Sequence, residues 1–127
     1  MQTSFPQRGH VWLADLDKPD RPVIILSVDA LNRSRILDVC VVPLTHIRRD
    51  EFDMRLFIPK GVGGTTMDCW AKCDQVHTIP KDVLTRQTGI LPTDYFAEVE
   101  DRVKFSLGFE SGFSSSGRIR VPAPSSE

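Results

Sequence analysis

Two apolar runs begin or end on side chains that could do chemistry. Arg21 opens "RPVIILS", pressed against Pro22, and Thr45 closes "CVVPLT". Arginine is planar, permanently cationic and carries five donors, so it can clamp an oxyanion as charge grows. Threonine offers a hydroxyl on a side chain stiff at χ1. The same two residues would serve equally as solvated ends of buried strands, and residue type alone leaves both readings open. His46 adjoins Thr45 and has the unperturbed pKa of a proton-transfer group. Arg48 and Arg49 could steer a phosphate, or, with Asp50 and Glu51 beside them, form a solvated loop. Cys69, Cys73 and either His46 or His77 would make a zinc site. Their C-x-x-x-C spacing lacks a nearby fourth ligand, so buried thiols and no metal are expected. The run "KGVGGTTMD" lacks the lysine-and-hydroxyl ending of a phosphate-binding loop and reads as a flexible turn.

Composition narrows the classes. A chain of 127 residues, 40% hydrophobic and 26% charged, suits one compact folded domain. A net charge of -1 argues against a protein that coats DNA through excess base, so any nucleic-acid contact must come from a local cationic cluster. The N-terminus lacks the apolar core of a signal peptide, and no run approaches the roughly 20 apolar residues of a membrane span. Three cysteines, an odd number, suit reduced thiols. A cytoplasmic protein is expected.

The elements that would hold these residues are mostly strands. "HVWLADL" (10–16) and the continuous β-branched run "PVIILSV" (22–28) read as strands, the second buried on both faces. "DALNRS" is turn-like, with room for one helical turn. "ILDVCVVPLT" (36–45) is a strand whose Pro43 belongs at an edge or bulge. "MRLFIP" and "CWAKCDQVHTI" (69–79) complete about five strands. Phe96, Val99, Val103 and Leu107 fall at helical spacing in 92–108, between a Thr93 N-cap and a Gly108 C-cap. Residues 1–110 form one domain on this reading, and the Ser-, Pro- and Gly-rich stretch 111–127 forms a flexible tail. Trp12 and Trp70 are expected to pack in the core or at a dimer interface.

The ordered set "RGHVWLADL", "RPVIILS", "VVPLT", "CDQVHTI" and a late amphipathic helix resembles the MazF/PemK family of toxin endoribonucleases, from about Arg8 to Gly108. The resemblance implies a mainly β (α+β) fold, a small SH3-like barrel of the CcdB/MazF type with a C-terminal helix. It implies the toxin half of a type II toxin–antitoxin pair, cleaving single-stranded RNA sequence-selectively by attack of the ribose 2′-OH, with neither metal nor cofactor. It carries catalysis onto Arg21 and Thr45, and RNA contacts onto Asp74 and Gln75; Arg48 and Ser27 are further RNA-contact candidates. Its implied partners are single-stranded RNA, a second copy of the chain and a cognate antitoxin. Two other classes share the barrel: a CcdB-like gyrase poison and a catalytically silent antitoxin-binding homologue. Gyrase poisons of that kind act through a C-terminal aromatic end, whereas this chain ends in "PAPSSE".

Overall fold

A computed structural model describes residues 5–47 and 54–109. The strands are β1 (His10–Ala14), β2 (Arg21–Ile25), β3 (Asp38–Thr45), β4 (Arg55–Ile58), β5 (Cys69–Lys72), β6 (His77–Pro80) and β7 (Leu84–Ile90). A one-turn helix α1 (Asp29–Asn32) follows β2, and α2 (Thr93–Leu107) ends the described fold. Every strand pair is antiparallel, in the order β4-β5-β3-β2-β1-β7, with β6 beside β3.

The β-branched runs make this sheet because both of its faces are covered. Ile24, Val42 and Leu44 face Val11, Ala71 and the α2 residues Val99 and Val103. Val23, Ile25, Val39 and Val41 alternate onto the other face, with Ala14 and Ile79. Each fully buried branched side chain contributes about 1.5–3 kcal/mol relative to exposure. β3 is the hinge of the architecture. Its outer neighbour is β6 along Asp38–Val41 and β5 at Leu44–Thr45. Pro43 stands between, still opposite Val23 of β2. The site expected to be an edge or bulge is thus a mid-strand change of partner.

Several sequence expectations are corrected. Residues 69–79 are two strands, because Gln75 N–H donates to the Lys72 carbonyl at 2.9 Å and closes a turn between them. β7 has no counterpart in the reading by periodicity: "LTRQTGI" is polar and only half buried. Among the described residues the ladder does not close between β4 and β7; a 3-10 turn at Val62–Gly64 packs into the seam. Gly64 has φ of 78°, and a Cβ there would lie 2.1 Å from the Thr88 carbonyl oxygen. A Cβ on Gly89 would lie 2.5 Å from the Gly63 carbonyl. Close backbone approach, rather than flexibility, explains these glycines.

Three of the four expected α2 contacts form. Phe96, Val99 and Val103 pack on the sheet, while Leu107, in the helix's last turn, is 57% exposed. Thr93 is the first helical residue rather than the cap, which is Pro92. Gly108 does cap the helix, at φ of 83°, with Phe109 N–H donating to the Lys104 carbonyl at 2.9 Å. Arg8 lies 4.7 Å over the Phe96 ring and ion-pairs Glu100, tying the start of the chain to α2. Among the described residues no helix is long and apolar enough to cross a membrane. The tail 111–127 lies outside the described residues.

Candidate active site

The β2–β3 register builds the site. Ile24 lies opposite Val42 and Val23 opposite Pro43, so continuing by two residues sets Arg21 opposite Thr45. Both residues line a cleft of about 430 Å³ at this end of the sheet. Pro22 disfavours helical geometry for Arg21, in keeping with its place as the first residue of β2. Asp20, at φ of 57°, turns the chain into the strand; aspartate is among the few residues that tolerate this region. Its N–H donates to Asp15 Oδ1 at 3.3 Å, holding the loop compact. Asp17 Oδ1 sits 3.8 Å from Arg21 Nε, an exposed pair too weak to neutralise the guanidinium.

Hydroxyls and cations complete the cleft. Thr45 Oγ1 accepts from Ile47 N–H at 3.1 Å, which leaves its proton to donate to a bound oxygen. Thr65 and Thr88 also line the cleft, but donate to the carbonyls of Val62 (2.9 Å) and Val11 (3.3 Å) and so serve the fold. Lys18 and Arg86 add positive charge, and His46 stands exposed on the wall. Lys72, near Arg21, has its pKa lowered by burial first and then by the Arg55 and Arg21 charges, with Asp74 and Asp17 opposing. Positive field therefore extends from the cleft along β5 and β4.

The sequence candidates divide accordingly. Arg21, Thr45 and His46 come together in the cleft. Asp74 and Gln75 are exposed in the β5–β6 turn, within electrostatic reach of Lys72 in the case of Asp74. Ser27 lies beyond the far end of β2; its hydroxyl donates to the buried Asn32 Oδ1 at 2.6 Å and accepts from Cys40 N–H at 3.1 Å. Arg48 and Arg49 lie outside the described residues. Cys69 and Cys73 are buried thiols, pushed up to about 11 and about 12 by burial, while His46 and His77 are exposed. No cluster of three or more metal-ligating side chains occurs among the described residues. Lys18, Arg86 and Lys72 were missed, because a lone cation in a loop or on a weak strand carries no local signal of its role.

The family model of PemK-like, MazF-like toxins of type II toxin–antitoxin systems matches residues 7–107. Probable endoribonuclease MazF2 of Mycobacterium tuberculosis is 33% identical over 102 residues, covering 80% of this chain and 98% of that protein. Endoribonuclease MazF9 of the same organism is 24% identical over 112 residues, 80% of this chain and 95% of that one. A solved mycobacterial endoribonuclease in complex with its cognate antitoxin superposes with a TM-score of 0.72 at 24% identity, over 86% of this chain and 99% of that chain.

Proposed function

Since the chain belongs to the PemK-like, MazF-like toxin family, we propose that its cleft cuts single-stranded RNA as the toxin of a type II toxin–antitoxin pair. The observation that carries this reading is Arg21 facing Thr45 at the rim of a cationic cleft. The ribose 2′-OH attacks the adjacent phosphorus and releases its proton to solvent water as the new O–P bond forms. Charge grows on the phosphoryl oxygens, and the 5′-oxygen leaves with a proton, giving a 2′,3′-cyclic phosphate and a free 5′-OH. Arg21 stabilises the growing charge and is the group that serves as acid to the leaving oxygen. With a pKa above about 12 it is a poor base. Thr45 donates its free proton to a phosphate oxygen. The nucleophile comes from the substrate and the electrostatics from the side chains, so the reaction requires no metal. Asp74 and Gln75 read base edges from their exposed turn, and Arg48 meets the RNA backbone.

The natural control of such a cleft is to cover it. A cognate antitoxin offers an acidic, partly apolar segment that neutralises the arginines while burying side chains, across a homodimer in the cytoplasm. Ordering that segment costs several kcal/mol, about 2–5 in such couplings, so a long wrapped contact is the expected form.

The test is incubation of a long RNA with the pure protein in excess EDTA. Cleavage is expected, and a substrate with deoxyribose only at the scissile nucleotide should resist. Cutting at that bond regardless would sink the mechanism. A non-cleavable RNA analogue should be displaced by the antitoxin's acidic peptide, and simultaneous saturation by both would exclude occlusion.

A further inference from the structure

The cleft holds one proton-transfer group that the reaction above leaves idle. A strand running on past Thr45 would turn His46 onto the opposite face, because successive side chains alternate. The chain instead bends at His46, and Ile47 N–H donates to Thr45 Oγ1 at 3.1 Å across the bend. This hydroxyl-closed turn brings His46 into the same cleft wall as Thr45. Of the three histidines, His10 is buried and His77 belongs to β6, so His46 alone lines the cleft. The other titratable groups there are Lys18, Asp20 and Arg21 around the β1–β2 turn, Arg86 on β7 and Cys69 on β5. Asp17 and Lys72 adjoin Arg21 from outside it. The cations have no lone pair to offer, and the buried Cys69 thiol, pushed up to about 11, keeps its proton. That leaves Asp20 and His46 as proton acceptors. A carboxylate is by residue type the weaker base, and its charge opposes an approaching phosphate.

We propose that His46 is the general base of this cleft, taking the proton of the ribose 2′-OH and passing it on to solvent water. The proposal rests on the ribonuclease reading above and adds a catalytic residue to it. As the O2′–P bond forms, the 2′ proton moves to a neutral imidazole nitrogen of His46. As the P–O5′ bond breaks, Arg21 gives a proton to the leaving oxygen. Water then takes one proton from His46 and returns one to Arg21, so the site ends as it began. Displacement at phosphorus runs roughly in line, so acid and base must act from separate sides. Arg21 enters the cleft from β2 and His46 from the end of β3, with the Thr45 hydroxyl proton free to hold the phosphate. Imidazole changes charge roughly between pH 5 and 8, the range in which a base is both unprotonated and strong enough to act. His46 is exposed, so water reaches it for the onward transfer.

The test is the pH dependence of kcat/KM on RNA, followed from about pH 5 to about pH 9 at a temperature well below melting. The wild type should lose about tenfold per pH unit at the acid end, because imidazolium cannot accept the proton. His46→Gln should lower the plateau by about 10²-fold or more and lack that acid limb. Imidazole added to the buffer should restore part of the rate to His46→Ala, in proportion to its neutral form. A fully 2′-O-methylated copy of a cleaved RNA should bind His46→Gln as tightly as the wild type. A flat wild-type profile, an acid limb that persists in His46→Gln, a limb that Asp20→Asn removes instead, or no rescue by imidazole would each overturn the proposal. Weaker binding that accounts for the whole loss of rate would overturn it too, making His46 an RNA contact. All of these outcomes leave RNA cleavage standing. A wild type that cuts no RNA would refute the ribonuclease reading, and the role of His46 with it.

Discussion

Replacing Gly64 with alanine tests whether the glycine turn builds the cleft wall. An L side chain at φ of 78° costs about 1–2 kcal/mol in backbone strain. The new Cβ would also lie 2.1 Å from the Thr88 carbonyl oxygen, which must retreat to the 3.0 Å below which real contacts essentially never fall. Overpacking against backbone adds about 1–3 kcal/mol, for about 2–5 in total. Gly61 supplies the control. Its φ is 95° with nothing within 4 Å of a Cβ, so Gly61→Ala carries the strain without the clash. At about 4 °C per kcal/mol for a domain of this size, melting should fall by roughly 14 °C in Gly64→Ala and roughly 6 °C in Gly61→Ala. The assay is thermal unfolding followed by circular dichroism, with RNA cleavage measured well below both midpoints. Thr65, Thr66 and Thr88 line the cleft on either side of this contact, so folded Gly64→Ala should also lose activity about tenfold and Gly61→Ala should not. Equal melting points in the two variants would refute the close-approach reasoning.

Other outcomes follow from the same geometry. Arg21→Ala should lower kcat/KM on RNA by about 10²–10³-fold with little change in melting, and Thr45→Ala by less; wild-type rates in Arg21→Ala would end the assignment. The pKa of buried His10 is lowered from 6.5 by burial, partly opposed by the Asp29 charge. The unfolded chain therefore takes up this proton first, and the stability present above pH 6.5 is lost as pH falls toward the folded value. The urea midpoint should drop between pH 7.5 and pH 5.5, and less steeply in His10→Gln. Iodoacetamide at pH 8 should label Cys40, which is half buried, and spare Cys69 and Cys73 until urea is added, as peptide mass spectrometry would show.

What was legible in the sequence was what local physics encodes. "PVIILSV" reads as a strand buried on both faces because β-branched residues occupy both sides of the pleat, and that is where Val23, Ile24 and Ile25 lie. The apolar spacing through Phe96, Val99 and Val103 and the left-handed Gly108 declare α2 in the same local way. The order of four short segments was enough to point to the family. Arg21 and Thr45 were nameable from it, but their juxtaposition was not, because 24 positions separate them and only the β2–β3 register sets one across from the other. β7 escaped notice because its polar, half-exposed residues owe their conformation to pairing with β1 rather than to their own periodicity. The break between β5 and β6 was hidden by Cys73 and Val76, whose apolar side chains continue the pattern through a turn. Lys72 and Trp70 take their surroundings from Arg55, Phe57 and Thr45 on neighbouring strands. Propensity and burial are properties of a short window of chain, whereas a cleft and its charge are properties of which strands meet, and tertiary structure alone decides that.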